Sequence, residues 1–166
     1  MSGKLAPLFK SLTHGVYIIG VGGDGDYNAF TAAWVMQVSF SPLLLALSIN
    51  PRHSSYQLLK ACGGFTVNVL LREQSELAMH FGQPAWMDKL ASVSWRPSRA
   101  GSPILLDAHA WFECEYLDEL EAGDHRLVVS RVADGGPLNP GEPMIYRDTD
   151  NMDGSRQLFP DEFPLS

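Results

Sequence analysis

The sequence predicts a mainly β protein, an antiparallel β-barrel with a few short helices. Three observations carry that expectation. Six or seven short runs hold apolar residues either continuously or at period two, the pattern of strands. The early runs are separated by a loop or a single proline, less than the crossover of about a dozen residues that parallel strands need. Only short helical segments stand between the runs, which favours a barrel over a layered α/β sheet.

The totals fit that reading. A chain of 166 residues makes one domain, 1–166, with enough length for a sizeable core. Hydrophobic residues make up 45%, ordinary for a globular protein. The net charge is −7 and Lys and Arg form no cluster, which argues against a nucleic-acid partner. No apolar run approaches the roughly 20 residues of a membrane span. Met1 to Lys10 lacks the apolar run of a signal peptide. Cys62 and Cys114 are far apart and without CxxC spacing, and read as free buried thiols in a reducing compartment, hence a cytoplasmic protein.

In chain order, Leu5, Leu8, Phe9 and Leu12 sit at helical spacing and predict a short amphipathic helix. Val16–Val21 is a buried strand, and Gly22–Asn28 a longish turn leading into the next strand of a hairpin. That second segment has two halves. Asn28 to Ala33 is small and polar, leaving backbone uncovered at Ala32 and Ala33, where a flat polar ligand can meet N–H and C=O groups. Trp34 to Phe40 alternates, with Trp34, Met36, Val38 and Phe40 on one face. Leu43–Ile49 reads as a strand buried on both faces, Tyr56–Ala61 as a helix closed by Gly63-Gly64, and Phe65–Leu71 as a strand. Arg72–Phe81 is a helix with Leu77, Ala78 and Phe81 as its apolar stripe, ended by Gly82 and Pro84. Residues 84–101 are loop-like, with a short helix around Trp86–Leu90. Ala108–Leu117 alternates as a strand, Glu119–Asp124 turns, and His125–Asp134 returns as the hairpin partner. Pro137–Pro143 is a loop, Met144–Arg147 a short strand, and the polar tail keeps Leu158, Phe159 and Phe163 as packing anchors.

Several motifs are excluded by context. Gly20 to Gly25 matches G-x-G-x-x-G, but it carries Asp24 and leads to a strand rather than a helix, so it is a hairpin turn. The acidic run from Asp148 to Gly154 fails the register of a calcium loop. His14, His53, His80, His109 and His125 show no metal-ligand spacing, so no metal site is expected. No G-x-S-x-G occurs. Two sites carry two readings each. Asn50 to Ser55 is a capped helix with a surface arginine, or an anion site built from Arg52, Ser54 and Ser55 at a helix N-terminus. His125 after Gly123-Asp124 is surface decoration, or a polar group at the barrel mouth.

The order of these segments resembles the flavin reductase-like family of FMN-binding split barrels. The resemblance runs from about Leu12 to Tyr146 and rests on a series: Thr31-Ala32-Ala33-Trp34, Val38 to Pro42, Asn50 to Ser55, Phe65 to Leu70, Gln74 with Leu77-Ala78 and Phe81, Asp88-Lys89, Glu113-Cys114, Gly123-Asp124-His125 and Val129 to Val132. Ala33 stands where the family often has a second Ser or Thr, and Leu43 where it often has a second proline. The resemblance implies a homodimer with FMN at the subunit interface and NADH or NADPH as co-substrate. Thr31, Ala32, Ala33 and Trp34 would lie along the flavin ring, and Ser48, Ile49 and Asn50 would contact the ring or ribityl chain. Arg52, His53, Ser54 and Ser55 would hold the phosphate, and His125 would sit near flavin and nicotinamide as the catalytic-site histidine. The implied activity is hydride transfer from NAD(P)H to flavin, with reduced flavin or electrons passed to a partner such as a monooxygenase. The alternatives are an FMN-binding electron relay without nicotinamide turnover, and a haem- or pyridoxal phosphate-related split barrel.

Overall fold

The computed structural model describes residues 4–163. Its centre is a seven-stranded sheet, antiparallel throughout, in the order β2-β1-β5-β8-β9-β4-β3. The strands are β1 (Tyr17–Gly23), β2 (Asp26–Ala32), β3 (Val35–Ser39), β4 (Leu44–Ile49), β5 (Gly64–Val69), β8 (Ala110–Ala122) and β9 (His125–Pro137). Between them lie α1 (Leu5–Phe9), α2 (Ser54–Cys62), α3 (Ser75–Phe81) and a ribbon of β6 (Trp95–Pro97) with β7 (Pro103–Leu105). The sheet is not closed by hydrogen bonds: β2 and β3 are its two edges, although Ala33 and Trp34 join them directly.

Local chemistry explains the turns. The β1–β2 hairpin closes on Asp24 and Gly25, both at positive φ (53° and 90°), as a tight turn with the right-handed strand twist requires. The loop is therefore shorter than the longish one expected. Gly63 caps α2 in the left-handed region at φ 72°, a conformation glycine reaches without a Cβ clash. Residues of β1 and β2 alternate between two apolar clusters. Ile19, Val21 and Phe30 join Val35, Leu47, Leu59, Phe65 and Val128 on one face. Ile18 and Ala29 join Leu70, Ala78, Phe81 and Leu105 on the other. With both faces of these strands covered, the alternation in the sequence is apolar throughout.

Several expectations are corrected. The stretch from Asn28 to Phe40 is two strands rather than one, because β2 pairs with β1 and β3 pairs with β4. Trp34, Met36, Val38 and Phe40 are the exposed side of that stretch, and Val35 is the buried one. Leu43 is likewise exposed, just before β4 begins. Strand β8 continues through Glu119 to Ala122, leaving Gly123 and Asp124 as the whole turn. Residues 86–90 form no helix, and the β6–β7 ribbon, with three residues per strand, was not anticipated. Residues 144–147 form no strand: Pro143 and Ile145 make isolated bridges to Leu71 and Gly15, and a 3₁₀ turn begins at Tyr146. Of the apolar stripe expected on α1, only Leu5 is buried; Leu8, Phe9 and Leu12 are exposed. Cys62 is exposed at the end of α2, whereas Cys114 is buried, and burial pushes the Cys114 thiol up to about 12. In the tail, Phe159 packs on Phe9 at 5.4 Å between ring centroids, while Leu158 and Phe163 are exposed. Among the described residues, no helix is long and apolar enough to cross a membrane.

Candidate functional site

The site grows from the point where β2 leaves the sheet. Thr31 donates its hydroxyl proton to the Ala78 carbonyl at 2.6 Å, which ties the strand to α3. Ala32 and Ala33 follow, half-buried and lacking side chains long enough to cover their own backbone. Because β2 is an edge strand, alternate N–H and C=O groups along its free side have no ladder partner and are available to a ligand. The Trp34 carbonyl accepts from Ser48 N–H at 2.9 Å, so the first turn beyond β2 is pinned to the end of β4.

That hydrogen bond gathers three of the expected segments. Ser48 and Ile49 pair with Leu127 and Arg126 of β9, and His125 opens the same strand. The His125 ring lies 5.0 Å from the Trp34 ring, inclined by 56°. Its Nδ1 is 2.8 Å from Asp124 Oδ1, and this contact lowers the Asp124 carboxyl below the usual range. Asn50 turns the chain: its Oδ1 accepts from Arg52 N–H and its carbonyl from His53 N–H, each at 2.9 Å.

Helix α2 starts one residue earlier than Ser54 and Ser55 as caps would require. His53 is the cap, its Nδ1 accepting from Ser55 N–H at 3.2 Å, and its ring rests 4.4 Å from that of Phe30. Burial, then the Lys89 charge, lowers the His53 pKa. The neutral ring is the form that can accept this hydrogen bond. Ser55 is buried and its hydroxyl accepts from Asn28 Nδ2 at 2.8 Å. Ser54 is exposed.

Two cavities lie along β2. The smaller, about 330 Å³, is walled by Thr31, Ala32 and Ala33, by Ala78, Met79, Gly82 and Gln83 at the end of α3, and by Tyr146, Thr149, Met152 and Asp153 of the tail. Among the described residues, Asp153 is the one charged residue in that lining. The larger, about 590 Å³, takes in Asn28, Ser54 and Ser55, the aromatic rings of Tyr27, Trp86 and Trp95, and Asp26, Asp88 and Lys89. Lys89 is only 3% exposed. Its amine donates to the Phe81 and Gln83 carbonyls at 3.3 and 3.2 Å, and burial lowers its pKa. Arg52 lines neither cavity; it is exposed on the turn before α2, and among the described residues its guanidinium makes no hydrogen bond.

The structure thus brings Thr31, Ala32 and Ala33 to one cavity, Ser54 and Ser55 to the other, and Trp34, Ser48, Ile49 and His125 to the strand ends nearby. Two contributors carry no role of their own in the sequence: Asn28 ends a turn and opens the small, polar stretch, and Lys89 enters only as part of a dipeptide. The tail is expected to pack through Leu158, Phe159 and Phe163, over the cofactor or on the other subunit; the residues that reach the cavity are Tyr146, Thr149, Met152 and Asp153 instead. The pairing of Asp88 with Lys89 after α3 was the one local signal for the amine. The smaller cavity suits a planar, largely uncharged ring. The larger offers hydroxyls, an amide and an amine to an anion, beside two carboxylates that a cationic or hydroxyl-rich group would meet instead.

Comparison with known proteins bears on both. The profile of the "Flavin reductase like domain" matches residues 9–154. The chain is 34% identical to the high molecular weight rubredoxin of Moorella thermoacetica over 82% of its own length and 61% of that protein. It is 31% identical to the reductase component of the flavin-dependent trigonelline monooxygenase of Acinetobacter baylyi, over 78% of this chain and 42% of that one. It therefore spans less than two thirds of either relative. The structure superposes on the NADH:FAD oxidoreductase of Streptomyces globisporus with a TM-score of 0.79 at 29% identity, covering 86% of each chain.

Proposed function

Because the chain belongs to the flavin reductase-like family, we propose that it reduces flavin at the expense of NADH or NADPH and hands the reduced flavin, or its electrons, to a partner such as a monooxygenase. The observation that carries this reading is the cavity beside Thr31, Ala32 and Ala33, where small side chains leave edge-strand backbone open. We infer FMN as the flavin. Thr31 to Trp34 bind its ring through main-chain groups, with Ser48, Ile49 and Asn50 at the ring's margin or along the ribityl chain. Ser54 and Ser55 at the α2 N-terminus, with Arg52 and His53 on the preceding turn, meet the phosphate, and Lys89 adds a buried cation on the same side.

When bound, flavin supplies the two-electron acceptor for the nicotinamide hydride. The chain supplies position. Asp124 holds the His125 ring by its Nδ1, which leaves Nε2 to accept from a nicotinamide carboxamide N–H. Trp34 against that ring gives the nicotinamide an apolar face. No general base is needed, in keeping with the lack of a nucleophile–base pair among these residues.

The same reading makes the open sheet a split barrel, its seam lying between β2 and β3, and makes the protein a homodimer. The apolar row of Trp34, Met36, Val38 and Phe40, with Met36 64% and Phe40 89% exposed, is the surface a second copy would cover. The two unpaired thiols suit a cytoplasmic protein.

Purified protein mixed with FMN should oxidise NADH or NADPH with saturation in both, followed at the nicotinamide absorbance. Failure with both nucleotides and with both FMN and FAD overturns the proposed activity. A spectrum of the purified protein separates flavin from haem or pyridoxal phosphate.

A further inference from the structure

The tail after the sheet is not decoration on this fold: it supplies one whole wall of the smaller cavity. Tyr146, Thr149, Met152 and Asp153 share its lining with Thr31, Ala32 and Ala33. These residues belong to a short turn that is tied to itself and to the N-terminal helix. The Tyr146 hydroxyl is 2.9 Å from Asp153 Oδ2 and 2.7 Å from the Ser155 hydroxyl. Asp153 Oδ1 accepts from Ser155 N–H at 3.0 Å, and the Thr149 hydroxyl donates to the Tyr146 carbonyl at 2.7 Å. Outside the cavity, Phe159 stacks on Phe9 at 5.4 Å and Lys10 sits 5.3 Å from the Tyr146 ring centre. These ties add to those that anchor the start of the turn to the sheet, where Tyr146 N–H donates to the His14 carbonyl at 2.8 Å and Tyr146 and Met152 pack on the cluster that holds Ile18 and Ala29; the latch and the Phe9 contact are the part of the wall that the sheet does not hold.

We propose that residues 146–153 form the outer wall of the flavin-ring cavity, and that the Tyr146–Asp153 latch sets how long a ring stays there. This rests on the reading of that cavity as the ring site. At about 330 Å³ the cavity is near the lower end of ligand sites, so one ring system fills it and each wall carries a large share of the contacts. Among the described residues, the only charge in the lining is the Asp153 carboxylate. That wall selects an uncharged ring and turns a phosphate towards the Lys89 cavity. Tyr146 and Asp153 are positioning residues in this scheme, and Met152 packs on the ring.

The experiment uses the full chain with two probes, FMN and lumiflavin, the second being the ring without phosphate. Affinity is read by fluorescence quenching and dissociation by stopped flow. Asp153→Ala removes both acceptors of the latch and should speed dissociation of both probes about five- to tenfold, the effect of losing one or two hydrogen bonds, with association unchanged. Asp153→Asn keeps one acceptor for Ser155 N–H and turns an NH2 to donate to the Tyr146 oxygen, whose proton then goes to the Ser155 hydroxyl, and should recover most of the wild-type rate. Phe159→Ala touches no part of the cavity, yet should also speed dissociation because it frees the same turn. Met152→Ala leaves the latch intact and should weaken both probes. If all four variants release both probes at the wild-type rate, the wall proposal is overturned while flavin binding stands. If the wild-type protein binds neither probe, the ring-site reading fails first, and this inference with it.

Discussion

Strands β2 and β3 are consecutive in the chain and lie at opposite edges of one sheet. The free flank of β2 is roofed by α3, by the loop that carries Lys89 and by the tail, and two cavities remain under that cover. Among the described residues, the row of Trp34, Met36, Val38 and Phe40 beside β3 is left to solvent. An edge strand must be paired, covered or blunted. Here one edge is covered in a way that leaves room for a small molecule, and the other is apolar in a way that suits a protein. The join between them, Ala33 to Trp34, is where the two uses meet.

The largest effect should come from filling the ligand side. Ala33→Trp places a large ring in the smaller cavity and should weaken FMN by about 100-fold or more, roughly 3 kcal/mol. Size-exclusion chromatography with light scattering should show its association state unchanged. The reverse substitution of sides is Met36→Lys. A charge in the exposed β3 row should convert the proposed dimer to monomer in the same measurement. Because the family resemblance puts the flavin at the subunit interface, FMN affinity should fall with it, by about tenfold, or roughly 1.4 kcal/mol. If Met36→Lys leaves both dimer and affinity intact, the β3 edge is not the protein side.

A third substitution separates the two cavities under β2. Lys89→Met keeps the length of the side chain and removes its charge. It should weaken FMN by about tenfold and leave lumiflavin unchanged, since a charge-assisted hydrogen bond to phosphate contributes about 1.5–3 kcal/mol at most. Equal weakening of both probes would merge the two cavities into one site.

The smallest effect concerns the cap of α2. The folded protein holds His53 below the ordinary imidazole value through burial and the Lys89 charge. The unfolded chain therefore takes up a proton that the folded one resists. This contribution to stability is complete above pH of about 6.5, the unfolded value, and is lost as pH falls through the window below it. His53→Asn keeps a cap acceptor without titrating. Urea midpoints measured from pH 7.5 to 5 should fall less steeply for that variant than for the wild type.

Much of this arrangement is legible in the residues. The runs in β1, β4, β5, β8 and β9 are local patterns, and Asp24-Gly25, Gly63 and Gly123-Asp124 are local turn chemistry, so a reading along the chain finds them. The small-residue stretch at Thr31 to Ala33 is legible for the same reason: an absence of side chain is visible in sequence. The two hairpins, β1 with β2 and β8 with β9, are legible as pairs; what could not be read was which strands pair beyond them. The alternation from Trp34 to Phe40 shows a face but not that β3 leaves β1 for β4, nor that the alternating residues face solvent. The smaller cavity is walled by residues more than 100 positions apart, such as Thr31 and Met152, and no local period reports that. Lys89 is legible only as half of the Asp88-Lys89 pair; that its amine is buried against the Phe81 and Gln83 carbonyls depends on how the loop folds back on α3.

The central claim is that a flavin ring rests against the main chain from Thr31 to Trp34. Backbone amide shifts of labelled protein titrated with FMN test it most directly. The account predicts saturable shifts concentrated at Thr31, Ala32, Ala33 and Trp34, with a second group at Tyr146 to Asp153 across the cavity. Shifts confined to other surfaces, or none at saturating FMN, would contradict it.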